Sequence, residues 1–156
     1  TIVNERTLRE IYLKGFEIAV KSSDPWSLMT SYNSINGSYT ATRKDLAYNI
    51  LRGEWGFKGY VVTDWEGDGI YTIEAIKARH DLVMPGFAGQ FNYVLSKLKD
   101  GTLKRSELEQ SAAGFLTVGM KTKAFAKYAG ITDGSNGAYK APESWIKFVK
   151  SEAVAE

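Results

Sequence analysis

Residues 59–69 read "GYVVTDWEGDG", from Gly59 to Gly69. The apolar and β-branched run at 60–63 is typical of a short buried strand, and it ends at Asp64 and Trp65, just before a glycine-rich acidic loop. In parallel α/β proteins the working residues lie at the carboxyl ends of the strands. The end of this strand is therefore the first place to look for a functional site.

Apolar runs and segments with helical spacing alternate on both sides of this stretch. We predict strands in "WSLMTSYN" at 26–33, "YVVTD" at 60–64 and "DLVMPG" at 81–86, with "NSINGSYT" at 33–40 as a polar loop. We predict helices at about 7–21, after Thr42, at 70–79, at about 91–98 and from Ser106. Three pairs of residues have the spacing of helix N-caps. They are Thr7 with Glu10, Thr42 with Asp45, and Ser106 with Glu109.

The resulting order, αβαβαβαα, predicts an α/β fold, because helices make the crossovers that parallel strands require. It fits either an open doubly wound sheet or part of a (β/α)8 barrel, since a complete barrel takes about 250 residues and this chain has 156. We assign residues 1–128 to this unit. Residues 129–156 are predicted to be a linker or terminal arm with a short amphipathic segment containing Trp145, Phe148 and Val149.

Composition excludes several classes of function. The chain is 44% hydrophobic and 24% charged, with 20 basic and 18 acidic residues spread along it, so we expect neither a nucleic-acid partner nor an acidic membrane surface. It has no cysteine and one histidine, so disulfides, thiolate chemistry and histidine clusters are ruled out within the chain. No run approaches the roughly 18 apolar residues of a membrane span. The first ten residues, "TIVNERTLRE", show no apolar signal-peptide core, and the cellular location, cytoplasmic or secreted, is left open.

An aspartate at a strand end has three plausible uses: carboxylate of a glycosidase, phosphoryl acceptor or metal ligand. Asp64, Glu66 and Asp68 approximate the start of a calcium loop, but the twelfth position is Ala75 and a strand precedes the loop. There is no glycine-rich phosphate loop ending in GK[ST]. The glycosidase interpretation uses Asp64 as the carboxylate and Trp65 as a flat surface for a sugar ring. Glu66 and Asp68 then serve the turn.

Four blocks, in this order, carry a family resemblance: "LREIYLKGFEIAVK" (8–21), "PWSLMTSYNSINGSY" (25–39), "LRGEWGFKGYVVTDW" (51–65) and "DLVMPG" (81–86). Together they resemble glycoside hydrolase family 3, the β-glucosidase and β-xylosidase family. The resemblance implies the later strands of a (β/α)8 barrel. It also implies that Asp64 is the catalytic nucleophile, that Trp65 flanks the sugar pocket, that Tyr32 lies near the nucleophile and that Met29 lines the pocket floor.

Some parts of the family pattern are absent. The Lys-His pair and the arginine that hold sugar hydroxyls in the family do not occur in this sequence, nor does the second domain that commonly supplies the acid/base carboxylate. Because these parts are missing, we expect the rest of the same enzyme as a partner. The resemblance also implies a β-glycoside as substrate, with no cofactor and no metal, and a homo-oligomer is compatible with the sequence. Arg79 and His80 stand where the family usually has Gly-Asn.

Two other interpretations remain open: a non-catalytic carbohydrate-binding or scaffolding module, and a metal-dependent enzyme that uses Asp64, Glu66 and Asp68.

Several chemistry-bearing residues receive structural interpretations. Glu54 precedes its strand, and we expect it to form an ion pair, with Arg52 as the candidate partner. Asp81 is expected to anchor the start of its strand by hydrogen bonding, and His80 to be a loop or strand-start residue. Asn36-Gly37 matches a glycosylation acceptor, but we interpret it as a turn.

Overall fold

The computed structural model describes residues 1–65 and 71–128. Its first helical region has three consecutive parts, α1 (Glu5–Thr7), a π-helical stretch (Leu8–Tyr12) and α2 (Lys14–Ser23). The helix predicted at 7–21 is confirmed, but the capping box predicted at Thr7 is wrong. Asn4 is the cap, its side-chain oxygen accepting a hydrogen bond from the Thr7 N–H at 2.8 Å, and Glu10 pairs with Arg6. The helix begins earlier because Asn4 already supplies the acceptor that a first turn needs.

Strands β1 (Ser27–Met29) and β4 (Tyr60–Val62) pair in parallel, with Leu28 opposite Val61 and Met29 opposite Val62. The predicted third strand, "DLVMPG", is reduced to one parallel bridge between Val62 and Leu82. Its ladder stops because the Met84 N–H donates to the Thr63 hydroxyl at 2.9 Å and Pro85 has no N–H. The segment still lies beside β4, on the side away from β1. The α/β class with parallel strands is therefore confirmed.

The polar loop predicted at 33–40 is in fact a small antiparallel hairpin of β2 (Ser34–Ile35) and β3 (Ser38–Tyr39). Asn36 and Gly37 form its tip, with φ angles of 53° and 85°. Two consecutive positive φ angles define the tight turn that matches strand twist, and asparagine followed by glycine adopts it readily. The interpretation of Asn36-Gly37 as a turn is confirmed.

The helix predicted after Thr42 is π-helical and spans Asp45–Glu54, following a short 3₁₀ turn (Thr40–Thr42). Thr42 does not cap it, since the Thr42 hydroxyl donates to the Tyr39 carbonyl at 3.0 Å. The remaining helices are α3 (Thr72–Lys77), α4 (Ala88–Lys99), α5 (Arg105–Gly119) and α6 (Lys123–Tyr128). None of the helices in the described ranges is long and apolar enough to cross a bilayer.

The cap predicted for α5 is also misplaced. The Glu107 carboxylate accepts the Lys104 N–H at 2.8 Å, whereas Glu109 binds Arg105 at 2.6 Å. The predicted pair Ser106 and Glu109 lies inside the helix, where an acid four residues after an arginine faces the arginine rather than the helix start. The predicted arm at 129–156, with its amphipathic segment, lies outside the described residues.

Helices cover one face of the β1–β4 pair. Val61 is 0% exposed and packs with Val20, Leu51 and Phe57. A second apolar cluster joins α3 to the later helices through Ile73, Ile76 and Leu103. Successive strand residues face opposite ways, and Met29, one residue from the helix-facing Leu28, is 52% exposed. Among residues 1–65 and 71–128, the pair therefore has one face covered by helices and one face left open.

Two ion pairs tie this layer together. The predicted pairing of Glu54 with Arg52 is wrong, because residues two apart on a helix do not face each other. Glu54 instead accepts two hydrogen bonds from Arg9, at 2.5 and 3.0 Å. Arg52 binds the buried Asp81 carboxylate, which also accepts the Val61 N–H at 2.7 Å. The anchoring role predicted for Asp81 is thus confirmed.

Candidate active site

Residues 81–86, which lie beside β4 through the Val62–Leu82 bridge, are called the Leu82 segment. The carboxyl ends of β1, β4 and the Leu82 segment meet at one edge. The Thr30 N–H donates to the Val62 carbonyl at 3.0 Å, and the Thr63 N–H donates to the Leu82 carbonyl at 3.0 Å. These bonds extend the parallel ladder one residue past the strands on both sides of β4. The residues that follow, including Ser31, Asp64 and Met84, are therefore held next to one another at this edge.

Asp64 is the acidic residue among the described residues at this edge, and its side chain is partly buried. Its Oδ1 accepts the N–H of Trp65 at 2.8 Å. This is the one hydrogen bond to the Asp64 carboxylate from residues 1–65 and 71–128, so Oδ2 remains available within that part of the chain. A carboxylate with one oxygen oriented by a backbone N–H and the other accessible can act on an electrophile in front of it.

Tyr32 and Trp65 reach across from neighbouring strand ends. The Tyr32 hydroxyl donates a hydrogen bond to the backbone carbonyl of Trp65, which joins the loop after β1 to the residue following Asp64. Both rings are about half exposed, at 52% and 47%. The structure therefore brings Tyr32, Asp64 and Trp65 together and leaves both aromatic residues about half exposed among the described residues.

Met29 lies one strand away from Asp64, on the open face of β1. It also lines a cavity of about 340 Å³ between the helical region at 5–23 and the helix Asp45–Glu54. That cavity is mostly apolar, with Phe16, Leu46 and Ile50 among its walls, and neither Asp64 nor Trp65 lines it. This cavity thus lies beside the strand ends and not over the candidate carboxylate.

A buried polar layer that no sequence motif indicates supports this edge. Thr63 is fully buried, and its hydroxyl accepts the Met84 N–H. His80 is also fully buried, with its Nε2 3.2 Å from the Thr30 hydroxyl. Burial lowers the pKa of His80 to about 4, and the nearby Arg52 charge acts in the same direction. Thr63, next to Asp64, and His80, next to Asp81, belong to no motif that marks a buried polar layer in the sequence.

The two loop acids weighed as metal ligands, Glu66 and Asp68, lie outside the described residues. Within residues 1–65 and 71–128 there is no group of three histidine, aspartate or glutamate side chains placed to hold a metal ion.

Comparison with known proteins defines the class to which this fold and edge belong. Residues 1–118 match the model of the glycosyl hydrolase family 3 N-terminal domain. The chain therefore belongs to glycosyl hydrolase family 3.

Among its relatives, a β-glucosidase from Ruminococcus albus is 42% identical over 142 residues, which covers 83% of this chain and 15% of that protein. β-Glucosidase B from Emericella nidulans is 41% identical over 125 residues, with 79% and 15% covered.

The fold is found in solved structures of the same kind. β-Glucosidase 3B from Thermotoga neapolitana, in complex with glucose, superposes with a TM-score of 0.77 at 37% identity, covering 97% of this chain and 21% of that one. The chain thus spans about one seventh of the length of the curated relatives it matches and one fifth of this solved structure.

Proposed function

We propose that this chain is part of a retaining, exo-acting β-glycosidase of the β-glucosidase type, in which Asp64 is the catalytic nucleophile. The observation that carries the proposal is the placement of Asp64. It lies at the carboxyl end of β4 with Oδ1 held by the Trp65 N–H, and Oδ2 accepts no hydrogen bond from residues 1–65 and 71–128. The names of the relatives, two β-glucosidases and a β-glucosidase bound to glucose, support the choice of substrate class.

The proposed chemistry proceeds in two displacements. Oδ2 of Asp64 attacks the anomeric carbon of a terminal β-linked sugar as the bond to the leaving oxygen breaks, and an acid protonates that oxygen. Water, deprotonated by the same group acting as base, then breaks the sugar–Asp64 ester and restores the β configuration. The acid/base residue belongs to a part of the enzyme outside this chain. Two inversions at one carbon give net retention.

Trp65, Tyr32 and Met29 surround the proposed sugar site. The half-exposed Trp65 ring offers an apolar surface to one face of a pyranose, and Tyr32 closes the neighbouring side. Because the Tyr32 hydroxyl donates to the Trp65 backbone carbonyl, the Tyr32 ring is tied to the residue that follows Asp64. Met29 projects from the open face of β1, where it forms the floor of the pocket when the remaining strands are present.

We propose that the two parallel strands and the Leu82 segment are the later part of a (β/α)8 barrel. In the described part of the chain, helices cover one face of the strands, and Met29 on the other face is 52% exposed. In a closed barrel that open face is the interior, filled by side chains from the other strands. A chain spanning about one seventh of its relatives leaves most of those strands to the rest of the complete enzyme. The isolated chain should therefore have negligible activity.

The experiment is covalent trapping in the complete enzyme. A 2-deoxy-2-fluoro-β-glucoside with a good leaving group slows hydrolysis of the glycosyl-enzyme, so the adduct accumulates and its peptide can be identified by mass spectrometry. We expect the adduct on Asp64 and loss of trapping in Asp64→Asn. The matched control is Asp100→Asn, which makes the same change at an exposed residue in the turn after α4.

A second measurement tests the stereochemistry. In Asp64→Gly, azide should enter the space left by the carboxylate and displace the leaving group once, giving an α-glycosyl azide. A β-configured product, or an adduct on another carboxylate, would overturn the assignment of Asp64. Binding of the sugar with intact affinity and no turnover in the wild-type enzyme would instead identify a carbohydrate-binding module.

A further inference from the structure

His80 is a buried histidine that joins three elements of the fold. It is 0% exposed. Its backbone N–H donates to the Ala75 carbonyl at 3.0 Å, and its carbonyl accepts the Ser111 hydroxyl of α5 at 2.8 Å. Its imidazole Nε2 lies 3.2 Å from the hydroxyl oxygen of Thr30, the residue that follows β1. The ring therefore reaches from the start of the Leu82 segment to the end of β1.

The surroundings determine which nitrogen carries the proton. Nδ1 is buried and has no hydrogen-bond partner among the described residues. A neutral imidazole has one N–H donor and one bare acceptor. The Ala75 carbonyl lies near enough to the ring to raise its pKa, but no described residue makes a hydrogen bond with Nδ1. A proton on Nδ1 would therefore lack a well-aligned acceptor, whereas a proton on Nε2 has a partner in Thr30 and leaves only an unused lone pair on Nδ1. The neutral ring with the proton on Nε2 is the favoured state.

This tautomer gives the neighbouring hydroxyl a direction. If Nε2–H donates to the Thr30 oxygen, the Thr30 hydroxyl proton is free to point to the Val62 carbonyl, 3.5 Å away. The same carbonyl accepts the Thr30 N–H at 3.0 Å. Thr30 and Val62 are both two residues before a proposed site residue, Tyr32 and Asp64 respectively. The hydrogen bonds from His80 through Thr30 to Val62 thus join the two segments that lead to Tyr32 and Asp64.

We propose that His80, as the neutral Nε2–H imidazole, is a positioning residue that fixes the carboxyl ends of β1 and β4 relative to each other and so aligns Tyr32 with Asp64. The inference rests on the proposed function of Asp64. His80 touches no reacting atom. It acts through Thr30, and its requirement is a side chain that can donate one hydrogen bond from a dry position.

The test combines trapping kinetics with a mutant cycle in the complete enzyme. Thr30→Val removes the acceptor at nearly constant shape, and His80→Leu removes the donor. Each should lower the rate constant for labelling by the 2-deoxy-2-fluoro glycoside by about tenfold, the worth of one buried hydrogen bond. The double variant should be no slower than the slower single one, because both changes break the same bond. Thr117→Val, which removes a hydroxyl bond inside α5, is the matched control and should leave the rate unchanged.

Two further readouts separate positioning from general support. His80→Asn and His80→Gln, which retain an N–H donor, should recover most of the lost labelling rate. In ¹⁵N-histidine spectra, the signal that disappears in His80→Asn should be that of a neutral ring protonated at Nε2, and Thr30→Val should shift it.

Additive effects in the cycle, an unchanged rate in Thr30→Val, or a ring protonated at Nδ1 would overturn the inference. If the wild type forms no adduct on Asp64 while the ring signal behaves as expected, the proposed function fails and not the hydrogen-bonding assignment.

Discussion

Replacing Asp81 should damage the fold more than any other single charge removal in the described part of the chain. Its carboxylate is 1% exposed and accepts hydrogen bonds from the Val61 N–H, at 2.7 Å, and from the Arg52 guanidinium. Arg52 is itself 14% exposed and also donates to the Gly59 carbonyl at 2.9 Å. Burial raises the pKa of Asp81, and the Arg52 charge opposes that shift. One side chain therefore ties the start of β4 to two other segments.

The magnitude follows from what each variant leaves behind. Asp81→Asn can keep an oxygen for the Val61 N–H but leaves the Arg52 charge buried without a counter-ion. Removing one member of a buried pair costs about 3–5 kcal/mol, and the lower end applies because Arg52 retains Gly59 and some solvent. Asp81→Ala also leaves the Val61 N–H without an acceptor, a further cost of about 1–3 kcal/mol. We expect a loss of about 3 kcal/mol for Asp81→Asn and about 5 kcal/mol for Asp81→Ala.

The assay is urea unfolding of the complete enzyme, followed by tryptophan fluorescence and compared with Asp100→Asn. Asp100 is exposed, binds Lys97 and accepts the Thr102 N–H at 2.8 Å. Exposed pairs contribute little and asparagine keeps an oxygen for Thr102, so the same substitution there should leave the midpoint nearly unchanged. The double variant Arg52→Met, Asp81→Asn should recover part of the loss, because it removes the unpaired charge. Equal midpoints for Asp81→Asn and Asp100→Asn, or no recovery in the double variant, would refute the reasoning.

Three further predictions concern backbone geometry and pH. Gly59→Ala should lower the free energy of unfolding by more than about 1 kcal/mol, because a Cβ there would lie 2.4 Å from the Trp26 carbonyl oxygen. Gly15→Ala has open space around it and should raise the free energy of unfolding by about 0.5–1 kcal/mol. Equal effects of the two variants on the urea midpoint would contradict this prediction.

Arg79 has a φ of 73°, so the Arg79→Gly variant should be about 1 kcal/mol more stable than the Arg79→Ala variant. This order is the reverse of the one found inside a helix. Equal thermal stability of the two variants would contradict the prediction. His80 has a folded pKa of about 4 against an ordinary 6.5. Keeping the His80 ring neutral therefore contributes about 3 kcal/mol to the free energy of unfolding above pH 6.5, and this contribution is lost as the pH falls to 4. Urea titrations at a series of pH values should show this loss, and His80→Asn should remove that part of the pH dependence.

Local sequence patterns determined the order of elements and the position of the candidate nucleophile. The apolar run at 60–62 became β4, and Pro25 ended the first helical region at Ser23. Asn36-Gly37 became a turn because those two residues tolerate positive φ. Each outcome depends on residues close together in the chain, so spacing and residue type are sufficient. Asp64 at a strand end follows from the same local information.

The left-handed conformation of Arg79 explains a departure that the sequence showed without its reason. The family resemblance predicts glycine at this position, and a φ of 73° favours glycine. Here arginine accepts that conformation while its guanidinium donates to Gln110 at 2.6 Å and lies over the Tyr48 ring. Sequence identified the unusual residue, but only the coordinates show the backbone constraint that makes it unusual and the contacts that offset it.

Tertiary structure alone decided which charges pair and which polar groups are buried. Glu54 pairs with Arg9, 45 residues away in the chain, and Arg52 pairs with Asp81, 29 residues away. The packing of helices against strands brings these side chains together, and their spacing in the sequence does not predict it. Helix starts shifted to Asn4 and Lys104 for a related reason, since several nearby polar residues could satisfy the first turn. The exclusion of water from His80 likewise comes from elements distant in sequence closing around it, whereas Asp64 was placed by its own strand.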